Sequence, residues 1–510
     1  MDNPMRSRFV QEHRAILCLA VAAVSLVVIR ACLQSITLDE AESFLMYARK
    51  PWPSHWWPSS DNHVLNSLLM RFVTMVFGVC TLTVRLPAVL GAVIYIGSAL
   101  YLCLLLTSQR VLQLLLFTCL VCNPMILDYL VAARGYSLAV GFLLAALGVI
   151  ASAMMADNHE DGAELCRKCA WASILLGFSC AANFSFAIAN GMTLTVFFFW
   201  AAGKKTLGRR RYLRLAACSY LPGFIVGVVV CGSVLLNWPK GELYFGSKHL
   251  SEMWQSFVTG SFDELNPYLV NPLVLRWLTV IKGGLPYVTT VAALLLLVNM
   301  EIRRWRKPDP EANALGNFVR ALVIISATTL LLHWLAFKIL HLPLPKDRTG
   351  LFFIPFWTVA FVGSIVFWFR SGARKLAQYA GLAVLGLIAL FFVGCLRVGY
   401  FKEWRFNADT KQLYWIMDDL RRRCGITNFG TDWRYQLPLN FYREAYGNDS
   451  LKEFSISPGG GLPTDRDAYA VFLPSSGDFI KQQGLQLIYH NDESHAAVAI
   501  RGCPAPARSN

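Results

Sequence analysis

The stretch AILCLAVAAVSLVVIRA, Ala15 to Ala31, is followed within a few residues by Leu38-Asp39-Glu40-Ala41-Glu42. A run of this apolarity crosses the ~30 Å hydrocarbon core of a bilayer as one helix. A secretory leader would end on a small-residue cleavage site of the Ala-x-Ala kind. Here an acidic segment follows instead, so the run reads as a retained membrane helix. Three carboxylates where the chain leaves a membrane point to acid–base chemistry at the membrane surface.

The rest of the chain extends this reading. Of 510 residues 55% are hydrophobic and only 15% charged, where a soluble protein carries about a quarter charged. The apolar periodicity predicts a mainly α, polytopic helix bundle of about eleven spans. They cover 14–34, 82–106, 111–130, 135–156, 169–186, 187–203, 214–237, 276–299, 318–340, 349–369 and 376–397.

The formal charge is +15. It sits in short clusters between apolar runs, around Arg6, Arg8 and Arg14; Lys204 to Arg214; Arg303 to Lys307; and Arg370 to Lys375. A nucleic-acid surface would gather such residues on one soluble face, so no nucleic-acid partner is expected. The clusters are the positive-inside signal. With the N-terminus inside, an odd span count puts all of them on the cytoplasmic side. Residues 35–81, 238–275, 341–348 and the tail from about 400 then lie outside, as in a multi-pass protein of the plasma (inner) membrane.

The first outer loop is too long for a connector. Its 62–78 portion has helical apolar spacing after a charged start and reads as a helix lying in the interface, a level that also suits Trp52, Trp56 and Trp57. A short helix packed on the bundle is the plainer reading. From about Lys402 the composition changes. The chain divides into 1–400, a transmembrane domain, and 401–510, a soluble extracytoplasmic α/β domain. Its expected elements are a helix over 408–423 and strands over 426–433, 468–474, 485–489 and 496–501. Cys424 and Cys503 are its only cysteines. Outside the cytoplasm they are expected to form a disulfide. Cys166 and Cys169 have metal or redox spacing but no second pair, and Asp465-Arg466-Asp467 is a common tripeptide; neither carries weight.

Three ordered motifs carry chemistry: Asp39-Glu40 after the first span, Asp61-Asn62-His63 in the loop, and Val84-Arg85-Leu86-Pro87 opening the second span. Ala133-Arg134-Gly135-Tyr136-Ser137-Leu138 and Pro345-Lys346-Asp347-Arg348 follow at later outer ends. Over about 1–370 this set resembles the GT-C superfamily of membrane glycosyltransferases, in particular the protein O-mannosyltransferase and aminoarabinose transferase group. The tail matches no motif. The related mannosyltransferases carry Pro-Pro after the His; Val64-Leu65 stands here.

The resemblance implies a transferase that moves a sugar from a polyprenyl-phosphate donor to an acceptor hydroxyl on protein, lipid or glycan, among membrane lipids. Such a reaction needs a base for the acceptor proton and cations for a phosphate leaving group. The resemblance gives the base to Asp39, with Glu40 or Glu42 orienting substrate or metal. Asp61 and His63 are expected to contact substrate or, with Asp39 or Glu42, a divalent cation; a helix cap by Asp61 is the plainer alternative. Arg348, Lys346, Arg134 and Tyr136 are the candidate donor-phosphate contacts. Arg85 is expected to tie its helix to the loop. A transporter or lipid flippase is the rival, because intramembrane acids often couple ions; no inverted repeat of broken helices supports it. A non-catalytic lipid-binding homologue is the third reading. Neither sugar nor acceptor can be read from the chain.

Overall fold

The computed structural model describes residues 4–51, 56–156, 162–204, 208–237, 239, 241, 243–306, 310–372, 375–457 and 460–503. Trp52 of the expected interface set lies outside them. Among the described residues ten helices are long and apolar enough to cross a membrane. The first part of the chain runs α1 (Pro4–Leu33), α2 (Leu38–Glu42), α3 (Val64–Phe77), α4 (Thr81–Leu106), α5 (Arg110–Val121), α6 (Pro124–Tyr129), α7 (Tyr136–Met155), α8 (Gly162–Ala182) and α9 (Ala187–Gly203). It continues α10 (Arg209–Leu236), α11 (Leu250–Ser261), α12 (Pro272–Lys282), α13 (Leu285–Arg306), α14 (Pro310–Leu340), α15 (Phe353–Arg370) and α16 (Lys375–Gly394).

Two expected spans are corrected. The 111–130 segment is broken: α5 is too short to cross alone, and Asn123 caps a new helix that opens on Pro124, its Oδ1 accepting from the amides of Met125 and Ile126. Proline at the first helical position starts a helix but cannot continue one. Together α5 and α6 still run from the bundle end that holds Leu106 and Arg370, paired by a hydrogen bond, to the end where Asp128 meets Arg30 of α1. The 276–299 span is likewise split at Gly283-Gly284 and begins at Leu285.

α4 and α7 are held in near-backbone contact by glycine. A Cβ on Gly91 would stand 2.4 Å from the Leu138 nitrogen, and one on Gly141 2.6 Å from the Gly91 carbonyl oxygen. Small residues permit such approach between membrane helices, where packing replaces the hydrophobic effect. This contact sets the N-terminal ends of the two helices, with Arg85 and Arg134, side by side.

α3 forms where the apolar spacing places it. It buries Asn66, Met70 and Thr74 and exposes Phe72, Met75, Val76 and Phe77. That outward apolar row at the end of the bundle fits the interface reading.

The tail folds as α17 (Thr410–Cys424), β1 (Phe429–Thr431), α18 (Trp433–Ala445), β2 (Ala468–Phe472), α19 (Leu473–Gln482), β3 (Gln486–His490) and β4 (Ala496–Ile500). The sheet order is β1-β2-β4-β3, with β1 parallel to β2 and the other pairs antiparallel. The expected strand over 426–433 shrinks to three residues because Asp432 caps a helix that the sequence reading lacks. Cys424 and Cys503 are bonded, with Cα atoms 5.2 Å apart.

One face of the sheet, with Ala468, Ala470 and Val498, shares its core with Ile36, Phe44 and Ala48 of the first outer loop. Tyr442 Oη accepts the Ile36 amide at 2.9 Å, Asn407 Oδ1 accepts the Leu38 amide at 2.8 Å, and Phe44 meets Phe441 edge-on. The tail therefore packs directly on the segment that carries Asp39.

Candidate active site

The acidic segment is held by its own sequence. Thr37 caps α2: its Oγ1 accepts the Glu40 amide, while the Thr37 amide donates to Glu40 Oε2 at 2.9 Å. This reciprocal capping box turns Glu40 inward. There Arg85 donates to both its oxygens, at 2.8 and 2.7 Å, and the Ala133 amide donates to Oε1 at 2.9 Å. Both side chains of the pair are fully buried. Arg85 also donates to the carbonyls of Ala31, Gln34 and Ser35. The fold engages both oxygens of Glu40 twice, leaving the carboxylate no open position toward the site. Arg85 is the expected tie.

Asp39, next in chain, faces the other way. Its Oδ2 lies 3.2 Å from Arg348 Nη1 and 3.6 Å from Arg134 Nη2, without an aligned hydrogen bond to either. Arg134 also donates to Asp61 Oδ1 at 2.9 Å and to Ser43 Oγ at 3.1 Å. Gly135, at φ 75°, makes the turn that presents Arg134. A Cβ there would stand 2.3 Å from the Ala182 carbonyl oxygen and 3.0 Å from His63 Cβ. Burial works against the Arg134 charge, and Asp39 and Asp61 more than offset it, so the guanidinium is held firmly ionised.

Asp61 is thus a partner of Arg134 rather than a helix cap. His63 occupies the cap position of α3 without a side-chain cap bond. Its ring is buried, edge-on to Tyr136 at 5.3 Å, and neither ring nitrogen has a hydrogen-bond partner. Burial, then Arg134 and Arg348, push its pKa well below the ordinary histidine value. Burial likewise raises the Glu42 carboxyl, with Arg134 opposing. Asp39, Asp61, His63, Arg134, Tyr136 and Arg348 are brought together. Lys346 stands on the same short turn as Arg348 and makes no ion pair among the described residues.

Among the described residues no group of three His, Cys, Asp or Glu side chains could hold a metal. Asp39 and Asp61 converge on Arg134, whose guanidinium already supplies the positive charge that a cation between them would bring. The arrangement does not fit the divalent site expected from the sequence.

Glu403, Tyr129, Phe245 and Trp404 were missed by sequence reasoning. Glu403 Oε1 accepts from Arg348 Nη1, and its Oε2 accepts from the Tyr129 hydroxyl. Arg348 also lies over the rings of Phe245, 4.6 Å away, and Trp404, 5.7 Å away. Lys402-Glu403-Trp404, charges beside an aromatic where the composition changes, was the available signal.

One cavity adjoins this cluster and a second lies among the helices behind it. A cavity of about 230 Å³ is lined by Tyr129, Asp347, Lys402, Glu403 and Trp404, among others. A larger one, of about 450 Å³, has walls from α11 and α13 to α16, including Trp254, Phe257, Leu294, Phe353 and Trp357. Phe257 packs tightly on Gly350, two residues after Arg348. The Phe257 ring therefore stands between the apolar cavity and the turn that holds the guanidinium.

No protein-family model matches the chain, and no curated protein matches it. Among solved structures it is similar to ArnT from Cupriavidus metallidurans in the apo state, at 11% identity and a TM-score of 0.40, covering 96% of this chain and 98% of that one. The same protein bound to undecaprenyl phosphate aligns at 12% identity and a TM-score of 0.39, over 98% and 99% of the two chains. The archaeal oligosaccharyltransferase AglB from Archaeoglobus fulgidus, in complex with an inhibitory peptide and a dolichol-phosphate, aligns at 12% identity and a TM-score of 0.46, over 90% of this chain and 70% of that one. Likeness at this level carries no argument about activity.

Proposed function

We propose that this protein is a membrane glycosyltransferase that moves a sugar from a polyprenyl-phosphate carrier to an acceptor hydroxyl outside the cytoplasm. The observation that carries the reading is the juxtaposition of Asp39 with Arg348, 3.2 Å apart, with a cavity of about 230 Å³ at Glu403 and an apolar cavity of about 450 Å³ beyond Phe257. A carboxylate free to accept a proton, a fixed cation and an apolar slot are the three requirements of a lipid-phosphate sugar donor.

The acceptor oxygen attacks the anomeric carbon while Asp39 takes its proton. The bond from that carbon to the phosphate oxygen breaks, and its electron pair leaves with the phosphate. Arg348, with Lys346 beside it, stabilises that charge. In a single displacement with inversion, base and leaving group lie on opposite faces of the carbon. Donor binding must therefore open the Asp39–Arg348 pair, placing the sugar between them. Arg134 keeps Asp39 oriented while this happens. Glu40 and Arg85 fix the loop from below.

The test is turnover of a radiolabelled polyprenyl-phosphate sugar by protein in vesicles. Asp39→Asn keeps size and polarity but cannot take the proton, and should lower turnover by about 10²-fold or more while donor binding survives. Near-normal turnover would remove Asp39 from the mechanism. Proton-coupled flux of a lipid or solute without transfer would favour the transporter.

A further inference from the structure

Resting on that donor site, we propose that Glu403 sets which phosphate lipid the site holds: it weakens the hold on the spent carrier, a phosphomonoester, more than on the sugar-loaded phosphodiester, and so drives product release.

The geometry divides the partners of Arg348 into one that moves and one that stays. Asp39 must part from Arg348 for the donor to enter. Glu403 is anchored. Its second oxygen accepts from the Tyr129 hydroxyl, and the neighbouring Lys402 amide donates to Asp128 Oδ2 at 2.8 Å. Asp128 in turn is tied to Arg30 at 2.5 Å and to Arg397 at 3.5 Å. Arg397 pairs with Asp263, which also lies 3.2 Å from Lys402 Nζ. This ion network ties the outer end of α1, α6 and the segment after α11 to the 397–403 chain. A phosphate arriving at Arg348 therefore finds Glu403 already there.

The charge balance gives the consequence. Three carboxylates, Asp39, Asp61 and Glu403, share two guanidinium groups, Arg134 and Arg348, while Glu42 and Lys346 stand nearby with no ion pair among the described residues. Such a cluster attracts an anion weakly, and the lipid chain must supply much of the affinity. The donor phosphodiester carries one negative charge. The released monoester carries about 1.5 to 2 at neutral pH. Coulomb energy is linear in each charge, so a fixed carboxylate beside the phosphate repels the product up to twice as strongly, in free energy, as the donor. A site made only of cations would do the reverse and retain its product.

The experiment measures binding of two probes to the purified full-length protein: a short polyprenyl phosphate and its methyl phosphodiester. Wild type should bind the diester at least as well as the monoester. Glu403→Gln should tighten both, the monoester by close to the square of the diester factor, for example about tenfold against about threefold. Product inhibition of turnover should deepen in parallel, and Glu403→Asp, which keeps the charge, should stay close to wild type. Weaker binding of both probes by Glu403→Gln would show that Glu403 only props Arg348 and would overturn the proposal, as would equal factors. Should the variant not fold, the wild-type preference alone decides, since tighter binding of the monoester contradicts it. Wild-type protein that binds neither probe would instead remove the donor site itself.

Discussion

Glu40→Gln changes one atom type at a site whose neighbours are all donors. Glu40 Oε1 receives Arg85 Nε and the Ala133 amide; Oε2 receives Arg85 Nη2 and the Thr37 amide. Whichever way the new amide turns, its NH2 faces two donors, and the fully buried guanidinium loses its counter-charge. Removing one partner of a buried ion pair costs about 3–5 kcal/mol, so the variant should melt well below wild type. Arg85→Met should be worse, because it also strands the carbonyls of Ala31, Gln34 and Ser35. Asp39→Asn is the control one residue away: its carboxylate makes no aligned hydrogen bond, and each arginine it faces keeps a second carboxylate, Asp61 or Glu403, so its effect on stability should be the smaller of the two. Thermal unfolding in detergent, followed by labelling of buried Cys103 and Cys119, reads stability, and turnover of the lipid-phosphate sugar reads function. The expected pattern is crossed, with Glu40→Gln losing stability and Asp39→Asn losing turnover. A Glu40→Gln protein that melts like wild type yet is inactive would refute the structural assignment.

Arg348→Ala should weaken donor binding or slow turnover, and Arg348→Lys should restore it only in part because the planar fork is lost; unchanged affinity and rate would leave Arg348 an interface anchor. His63 titrates well below its unfolded value of about 6.5. Its contribution to stability is therefore complete above that pH and is lost as the solution is acidified through it, since the unfolded chain takes the proton first. The melting temperature should fall from pH 7.5 to 5.5, and less in His63→Gln; identical falls would exclude His63. Reduction of Cys424–Cys503, which closes a loop with a separation of 79 residues, should destabilise the tail by about 2–4 kcal/mol, and Cys424→Ser should match it in a melt without reductant. Reporter fusions at Lys205 and Asn510 should read opposite sides of the membrane; matching readings would refute an odd number of crossings between them.

Most of the bundle was legible because a membrane helix needs only length and apolarity, and both are local. The misreadings came where one residue overrules a long average: Asn123-Pro124 breaks an apolar run, Gly283-Gly284 delays a span, and Asp432 starts a helix inside an expected strand. In the site, Asp39, Asp61, Arg134 and Arg348 could be picked out because charges are conspicuous at the ends of apolar runs. Glu403 had only the weak local signal of Lys402-Glu403-Trp404, for its importance lies in a partner at a separation of 55 residues.

The sequence by itself determined a polytopic helix bundle, its charged outer ends, a different fold after about Lys402 and the cysteine pair. Only the tertiary structure decided which of two adjacent carboxylates is locked in the fold and which faces the cluster of Arg134 and Arg348. Composition treats Asp39 and Glu40 alike. The cap at Thr37 rotates them apart, and the contact between α4 and α7 puts Arg85 under one and Arg134 beside the other. Charge type is written in the chain, but the role of a charge depends on which partner reaches it and how much water remains, and both are set by elements distant in sequence.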